Sequence, residues 1–230
     1  MSDYHDDPRW KSYLNLRNSR PELFVQDQML EIVFDEQLVD DYVDTAQTPL
    51  GLIYQSPYRM LLVDLVRDPD GRLFGYERIV TIEKSGGVVA VPICQDSFIL
   101  LKQFRHATRE TQYAFPRGFA EPGLCEEENM KKEVQEEINM PVNRVSFLGI
   151  ICPDSGLTSA HVSIWACEVT DFHLNPKKGY EGIEDVLLLN REEMERWILS
   201  GRINDAFTLS AWALCQSRNF ELFSKISDQF

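Results

Sequence analysis

The sequence predicts an α/β or α+β sandwich, mixed strands interleaved with helices, preceded by a helical segment. Three observations carry that expectation. The 230 residues are 43% hydrophobic and 26% charged, a globular balance with enough apolar mass for one sizeable core or two small domains. From Tyr58 onward, short apolar runs alternate with polar, Pro and Gly turns. Between and after those runs lie stretches whose apolar spacing and end residues are helical.

Residues 1 to about 50 are rich in Asp, Glu, Gln and Asn around spaced aromatics: Trp10, Tyr13, Phe24 and Phe34. Trp10, Tyr13, Leu14 and Arg17 share one face of a short amphipathic helix, which Pro21 ends. Residues 1–55 therefore read as an N-terminal helical extension that packs on the main domain or on a second subunit, and 56–230 as the main domain. Residues 60–66 and 73–83 read as strands around Asp68-Pro69-Asp70-Gly71, where Pro suits a turn's second position and Gly supplies positive φ. Residues 88–93 and 98–104 are two further strands about the polar turn 94–97. A helix follows at about 126–138, closed by Asn139 in a left-handed conformation and by Pro141. Residues 145–151, 162–169 and 186–189 look like strands. Asn190-Arg191-Glu192-Glu193 resembles a capping box opening a helix that stops at Gly201, and a last helix runs roughly over 204–223.

Charge narrows the partners. Lys and Arg number 23 against 37 Asp and Glu, a net charge of −14. Such a chain repels phosphate backbones and anionic lipid, so neither nucleic acid nor a membrane surface is an expected partner, and phosphate calls for a bridging cation. The longest apolar stretches, 86–93 and 98–101, fall far short of a bilayer span, and the acidic start MSDYHDDPRW has no apolar core of a signal peptide. Five cysteines (Cys94, Cys125, Cys152, Cys167, Cys215) without C-x-x-C spacing fit a reducing, cytoplasmic setting. His106, His161 and His173 show no metal-binding spacing, and no nucleophile elbow, P-loop or G-x-G-x-x-G occurs.

The helix at 126–138 is the informative part. Met130, Val134 and Ile138 form its apolar stripe, with Glu128, Lys131, Lys132 and Gln135 opposite. A run of glutamates is ordinarily a solvated face, and that suits Glu127 and Glu128, which have Lys131 and Lys132 four residues on. Glu133, Glu136 and Glu137 fall together beside the apolar stripe. Three like charges at a core edge repel, or raise one another's pKa, unless a cation lies among them. Hard oxygen ligands suit Mg2+ or Mn2+, ions that keep waters and bind a substrate's phosphates.

Gly118-Phe119-Ala120-Glu121-Pro122-Gly123-Leu124 followed by Lys132-Glu133-Val134-Gln135-Glu136-Glu137-Ile138-Asn139-Met140 resembles the Nudix box, G-x5-E-x7-R-E-U-x-E-E-x-G-U. Every spacing matches and the three box glutamates are kept. Leu124 stands where the family has Glu, Lys132 where it has Arg, and Asn139 where it has Gly. The first two of those family residues pair with each other, so their joint loss is coherent, and Asn139 can take the left-handed conformation that Gly supplies. Residues 88–92 and Leu100-Leu101-Lys102-Gln103-Phe104-Arg105 are similar to strands of ADP-ribose pyrophosphatase-like members, which carry V-x-Q-Y-R. Pro116-Arg117-Gly118 replaces that subgroup's P-A-G, Cys152-Pro153-Asp154-Ser155-Gly156 resembles its Pro/Gly loop, and Asp205-Ala206-Phe207-Thr208-Leu209 its D-A-x-T-L. Ala114 stands where the subgroup often has Glu, which bears on substrate more than on chemistry.

The resemblance implies a Nudix-type α/β/α sandwich with a mixed sheet, and Mg2+-dependent cleavage of a nucleoside diphosphate linked to another moiety, ADP-ribose or a nucleotide sugar foremost. It implies metal held by Glu133 and Glu137, by Glu136 as ligand or water-orienting group, and by the carbonyl of Arg117 just before the box glycine, Gly118. It implies a catalytic base from the loop at 177–185, Glu181 first and Glu184 second. Arg105, Arg117 and Gly118 are the substrate-binding candidates, and the loop 154–159 a candidate closure. A homodimer with residues 60–83 in its interface is also implied. The alternative is a non-catalytic Nudix module that binds a nucleotide or a protein, with residues 1–50 as its arm.

Overall fold

The computed structural model describes residues 4–83, 86–169, 180–218, 220 and 223. The chain divides into two compact units, one of residues 1–82 with 154–159 and one of 83–153 with 160–230. The division falls at 82/83, not at 55/56 as the sequence reading has it, because the strand at 59–67 pairs with strands of the N-terminal segment and carries the strand at 73–81 on its other edge.

In the first unit, α1 (Pro8–Ser19) starts with Asp7 accepting the Arg9 N–H at 2.8 Å and Pro8 at its first position. β1 (Glu31–Ile32), α2 (Glu36–Ala46), β2 (Gly51–Gln55), β3 (Arg59–Arg67) and β4 (Leu73–Thr81) follow. β3 is central: β4 runs antiparallel along one edge, β1 and β2 along the other. The spaced aromatics of the N-terminal segment are this unit's core. Tyr13 lies 5.1 Å from Trp10 and edge-on to Phe24 at 5.0 Å between ring centroids. The segment 154–159 lies along β4, with the Ile79 N–H donating to Leu157 O at 2.8 Å and the Ser159 N–H to Ile79 O at 3.0 Å.

The second unit contains β5 (Gly87–Cys94), β6 (Ser97–Arg105), β7 (Glu110–Ala114), β8 (Arg117–Gly118), α3 (Glu126–Glu137), β9 (Val142–Ile151), β10 (Val162–Val169), β11 (Ile183–Asn190), α4 (Arg191–Leu199) and α5 (Ala206–Ser217). Among the described residues its sheet has seven strands in the order β11-β6-β5-β10-β9, with β5 and β10 parallel and the other neighbours antiparallel. β5 and β6 pair only beside their turn, at Ile93↔Phe98 and Cys94↔Ser97, and then diverge. Into that opening runs the segment 110–118, its β7 part paired to β6 and its β8 part to β5. Alternate residues face opposite layers. Val88, Ala90, Ile99 and Leu101 cluster with Met130 and Val134 of α3 and Ile138 at its C-cap, while Val89, Val91, Phe98 and Leu100 cluster with Met194, Ala211, Trp212 and Cys215 of α4 and α5. This is the helix/sheet/helix sandwich that the sequence leads one to expect. The five cysteines are free, with Cys94, Cys167 and Cys215 buried. Among the described residues no helix is long and apolar enough to cross a membrane.

Candidate active site

The opening between β5 and β6 places β8 against α3. Cys125 caps α3, its N–H donating to Glu128 Oε2 at 3.0 Å, and Asn139 leaves the helix with φ 55°. Met130, Val134 and Ile138 seat the helix on the sheet, as their spacing predicts, and this turns Glu137 inward until it is 1% exposed. Its Oε2 accepts the Arg117 N–H at 3.1 Å. Glu133 lies against Gly118, where any Cβ would collide with its carboxylate, so only glycine admits that approach.

Burial pushes the Glu137 carboxyl up to about 8, with the Glu133 charge adding to the rise and the Arg117 amide and Arg105 opposing it. Burial likewise raises Glu133 to about 7, with Glu136 and Glu181 adding and Lys132 opposing. Two carboxylates thus sit where negative charge is costly, and among the described residues neither forms an ion pair. That donor set fits a hard divalent cation. Among the described residues no three Asp, Glu, His or Cys side chains close into a cage by themselves. Glu136 leans instead toward Lys132, 3.8 Å away. Lys132 also pairs with Glu121, so the partner that the family supplies at position 124 comes here from three residues earlier, and Leu124 is exposed.

Arg105, at the end of β6, is partly buried, and among the described residues its Nε and Nη2 are buried without a hydrogen-bond partner. Burial lowers its pKa, as does the Arg117 charge, whereas Asp205, Glu137 and Glu181 stabilise it. The backbone at Glu181 crosses close over β6: Gln103 Nε2 donates to Glu181 O at 2.8 Å, and Glu181 takes φ 46°, unusual for a residue other than glycine. This crossing brings the Glu181 charge to Glu133, Glu137 and Arg105. Glu184 is placed elsewhere, on β11, bound to Lys102 Nζ at 2.7 Å and to the Thr111 hydroxyl at 3.0 Å, which hold its carboxyl below the usual range. The structure thus gathers Arg105, Arg117, Gly118, Glu133, Glu137 and Glu181, with Glu136 at the margin and Glu184 outside. The part of the expected base loop at 177–179, and His173, lie outside the described residues.

Arg117 does not offer a free guanidinium. Its Nη1 donates to Asp205 Oδ1 at 2.6 Å and its Cζ lies 4.3 Å over the Phe207 ring. Asp205 and Gln103 were visible only as the polar heads of the D-A-x-T-L and Q-F-R runs; nothing in the spacing alone assigns them a partner.

A NUDIX domain profile matches residues 84–203, just over half of the chain. ADP compounds hydrolase NudE of Escherichia coli (strain K12) is 30% identical over 73 residues, which cover 32% of this chain and 39% of that relative. The matched stretch thus spans about two fifths of the relative's length. A crystal structure of an ADP compounds hydrolase superposes with a TM-score of 0.59 over 73% of this chain and 90% of that one, at 19% identity, a likeness of fold. With the box carboxylates at their family spacing on α3 and a profile match that runs from β5 into the α4–α5 connection, this chain belongs to the Nudix family.

Proposed function

We propose that the protein is a divalent-metal-dependent pyrophosphohydrolase that cleaves a nucleoside diphosphate linked to another moiety, with ADP-ribose-type compounds or nucleotide sugars as its substrate class. One observation carries this reading: unpaired charges of both signs meet at one site. Glu133 and Glu137 have raised proton affinity and no ion-pair partner among the described residues, and Arg105 beside them has two buried donors unused. A pyrophosphate with its cations satisfies both. Mg2+, with Mn2+ as substitute, would be held by Glu133, Glu137 and the Arg117 carbonyl, and would supply charge neutralisation and polarisation of the P–O bonds.

The chain's own residues do the rest. Arg105 turns Nε and Nη2 to phosphate oxygens, a charge-assisted contact in a partly dry setting. Gly118 keeps β8 free of a side chain where Glu133 must stand. Glu181, whose carbonyl is held by Gln103, would take the proton of an attacking water, and Glu136 would orient that water. The Escherichia coli relative is named as a hydrolase of ADP compounds, which favours an ADP-containing substrate here. By resemblance to the subgroup, the reading includes a homodimer through residues 60–83, and the chain's five free cysteines suit a cytoplasmic location.

The test is product release from ADP-ribose, NADH, GDP-mannose, FAD and diadenosine polyphosphates with Mg2+ or Mn2+, beside Glu137→Gln. Metal-dependent turnover that vanishes in the variant supports the hydrolase. Silence across the panel from folded protein that still binds nucleotide would leave a non-catalytic module in its place.

A further inference from the structure

The segment 113–117 leads into the box glycine, and alternate residues along it are gripped from one stretch of chain, 202–208. Tyr113 lies beneath Arg202, whose Cζ stands 4.7 Å over its ring and 3.5 Å over that of Trp197, while Arg202 Nη2 reaches the Tyr113 hydroxyl at 3.1 Å. The Phe115 N–H donates to Thr208 Oγ1 at 3.1 Å. Arg117 Nη1 meets Asp205 Oδ1 at 2.6 Å, with Phe207 below the guanidinium. The residue between them, Pro116, is tied the other way, its carbonyl accepting the Ala90 N–H of β5 at 2.9 Å.

Asp205 is the knot. Its Oδ2 accepts both the Thr208 N–H at 3.0 Å and the Thr208 hydroxyl at 2.8 Å, which caps α5 and aims Thr208 at Phe115. Its Oδ1 is left for Arg117. A helix cap needs one oxygen only, which Asn or Ser supplies equally well. Here the second oxygen is committed to the residue whose amide donates to Glu137, and Asp205 and Thr208 are 8% and 0% exposed. The arginine that interrupts the family's P-A-G run is therefore one half of a lock.

We propose that Asp205, with Arg117 and Thr208, forms a brace that fixes the Arg117 backbone against Glu137 and so sets the spacing of the carboxylate site. These are positioning residues: they act on the site through the Arg117 amide and carbonyl. The proposal rests on the metal-dependent reading above. It assigns the Arg117 side chain to the brace rather than to substrate phosphate.

Asp205→Asn keeps the cap and removes the carboxylate charge that pairs with Arg117, and Arg117→Ala removes the other half. Mn2+ binding to the protein without substrate is read by electron paramagnetic resonance, and exchange of the Arg117 amide by NMR. Each single variant is expected to weaken Mn2+ binding by roughly 10–100-fold, as loss of groups behind a metal ligand does, and to lower kcat similarly with KM within about two-fold. The double variant is expected to be no worse than the poorer single one, and Arg117→Lys to recover part of the loss. Exchange of the Arg117 amide is expected to quicken by at least about ten-fold in Asp205→Asn. Wild-type Mn2+ affinity together with unchanged exchange in Asp205→Asn would overturn the brace. So would a rise in KM alone in Arg117→Ala, which would make the guanidinium a substrate ligand. Should the wild-type protein bind no Mn2+, the metal-dependent reading fails and amide exchange alone decides the brace.

Discussion

Glu137 Oε2 accepts the backbone N–H of Arg117 at 3.1 Å, and that bond joins α3 to β8 at the point where the buried carboxylate is least comfortable. One amide and a nearby guanidinium oppose the burial, and the carboxyl stays raised to about 8. Replacing Glu137 by Gln keeps the shape and the amide contact while removing the charge. Turnover is expected to fall by on the order of 10²–10³, and the rise in Tm on adding Mg2+ to disappear. Metal-free Tm at pH 8 should hold or increase, since a buried charge has gone. A full Mg2+-induced rise in the variant would remove Glu137 from the metal site.

The same two carboxyls set a pH dependence. Glu133 and Glu137 sit at about 7 and about 8 against an ordinary 4.5. Between those limits the folded chain holds more protons than the unfolded one, so their contribution to stability falls as pH rises from about 4.5 to about 8. Metal-free protein should therefore lose Tm between pH 6 and pH 8.5, and Glu137→Gln should lose less over the same range. Mg2+ must displace these protons, so its affinity should rise with pH, with proton release detectable by calorimetry in buffers of different ionisation enthalpy. A Glu137→Gln profile that parallels wild type would contradict the assignment.

Gly118→Ala tests the close approach of β8 to α3. The added methyl group meets the carboxylate end of Glu133, which is the flexible end of a long side chain. The fold can give way there by rotating Glu133, but the site cannot. The expectation is a small change in metal-free Tm with roughly 10²-fold loss of kcat and weakened Mn2+ binding. Retained Mn2+ affinity would mean that Glu133 need not stand against Gly118.

Glu181 and Glu184 are three residues apart and face different partners. The Glu181 backbone is pinned by Gln103, and its charge bears on Glu133 and Glu137, whereas Glu184 is tied to Lys102 and Thr111. Glu181→Gln is expected to lower kcat by roughly 10²–10⁴ with KM little changed, and further than Glu184→Gln does. It should also lower the acid limb of the pH–rate profile, because the Glu181 charge is one of the causes that raise Glu133 and Glu137. The reverse order of losses would move the base to Glu184.

The carboxylate helix is legible because its like charges fall beside its apolar stripe, and burial there raises the proton affinity of Glu133 and Glu137. Asn139 was legible for a similar local reason: a short polar side chain tolerates φ 55°. What could not be read depends on partners distant in sequence. Lys132 finds Glu121 in a loop with no periodicity, and Asp205 finds Arg117 across 88 residues. In the N-terminal segment, Leu38, Val39, Tyr42 and Val43 do carry helical spacing, but the acidic residues between them mask α2, and β2 is five residues long. The unit boundary was misplaced because strands 59–67 and 73–81 look like any others until their partners are known.

Asp64 is the point at which that N-terminal unit is most sensitive. On β3 and 2% exposed, it accepts the Tyr13 hydroxyl from α1 and the Arg78 guanidinium from β4, so one carboxylate joins the helix to two strands. Arg78 in turn donates to Leu23 O at 2.8 Å and lies 5.5 Å over the Phe24 ring, among the aromatics that fill the unit. Asp64→Asn leaves the Arg78 charge largely buried without its counter-charge, at an expected cost of about 3–5 kcal/mol. Tyr13→Phe leaves the ion pair whole and removes one donor, at about 1–3 kcal/mol. Urea unfolding followed by Trp10 fluorescence, in a background where the other tryptophans are replaced by Phe, reads the unit directly. If Asp64→Asn costs no more than Tyr13→Phe, the pair is solvated rather than buried, and the joint between α1, β3 and β4 is held by its aromatic packing alone.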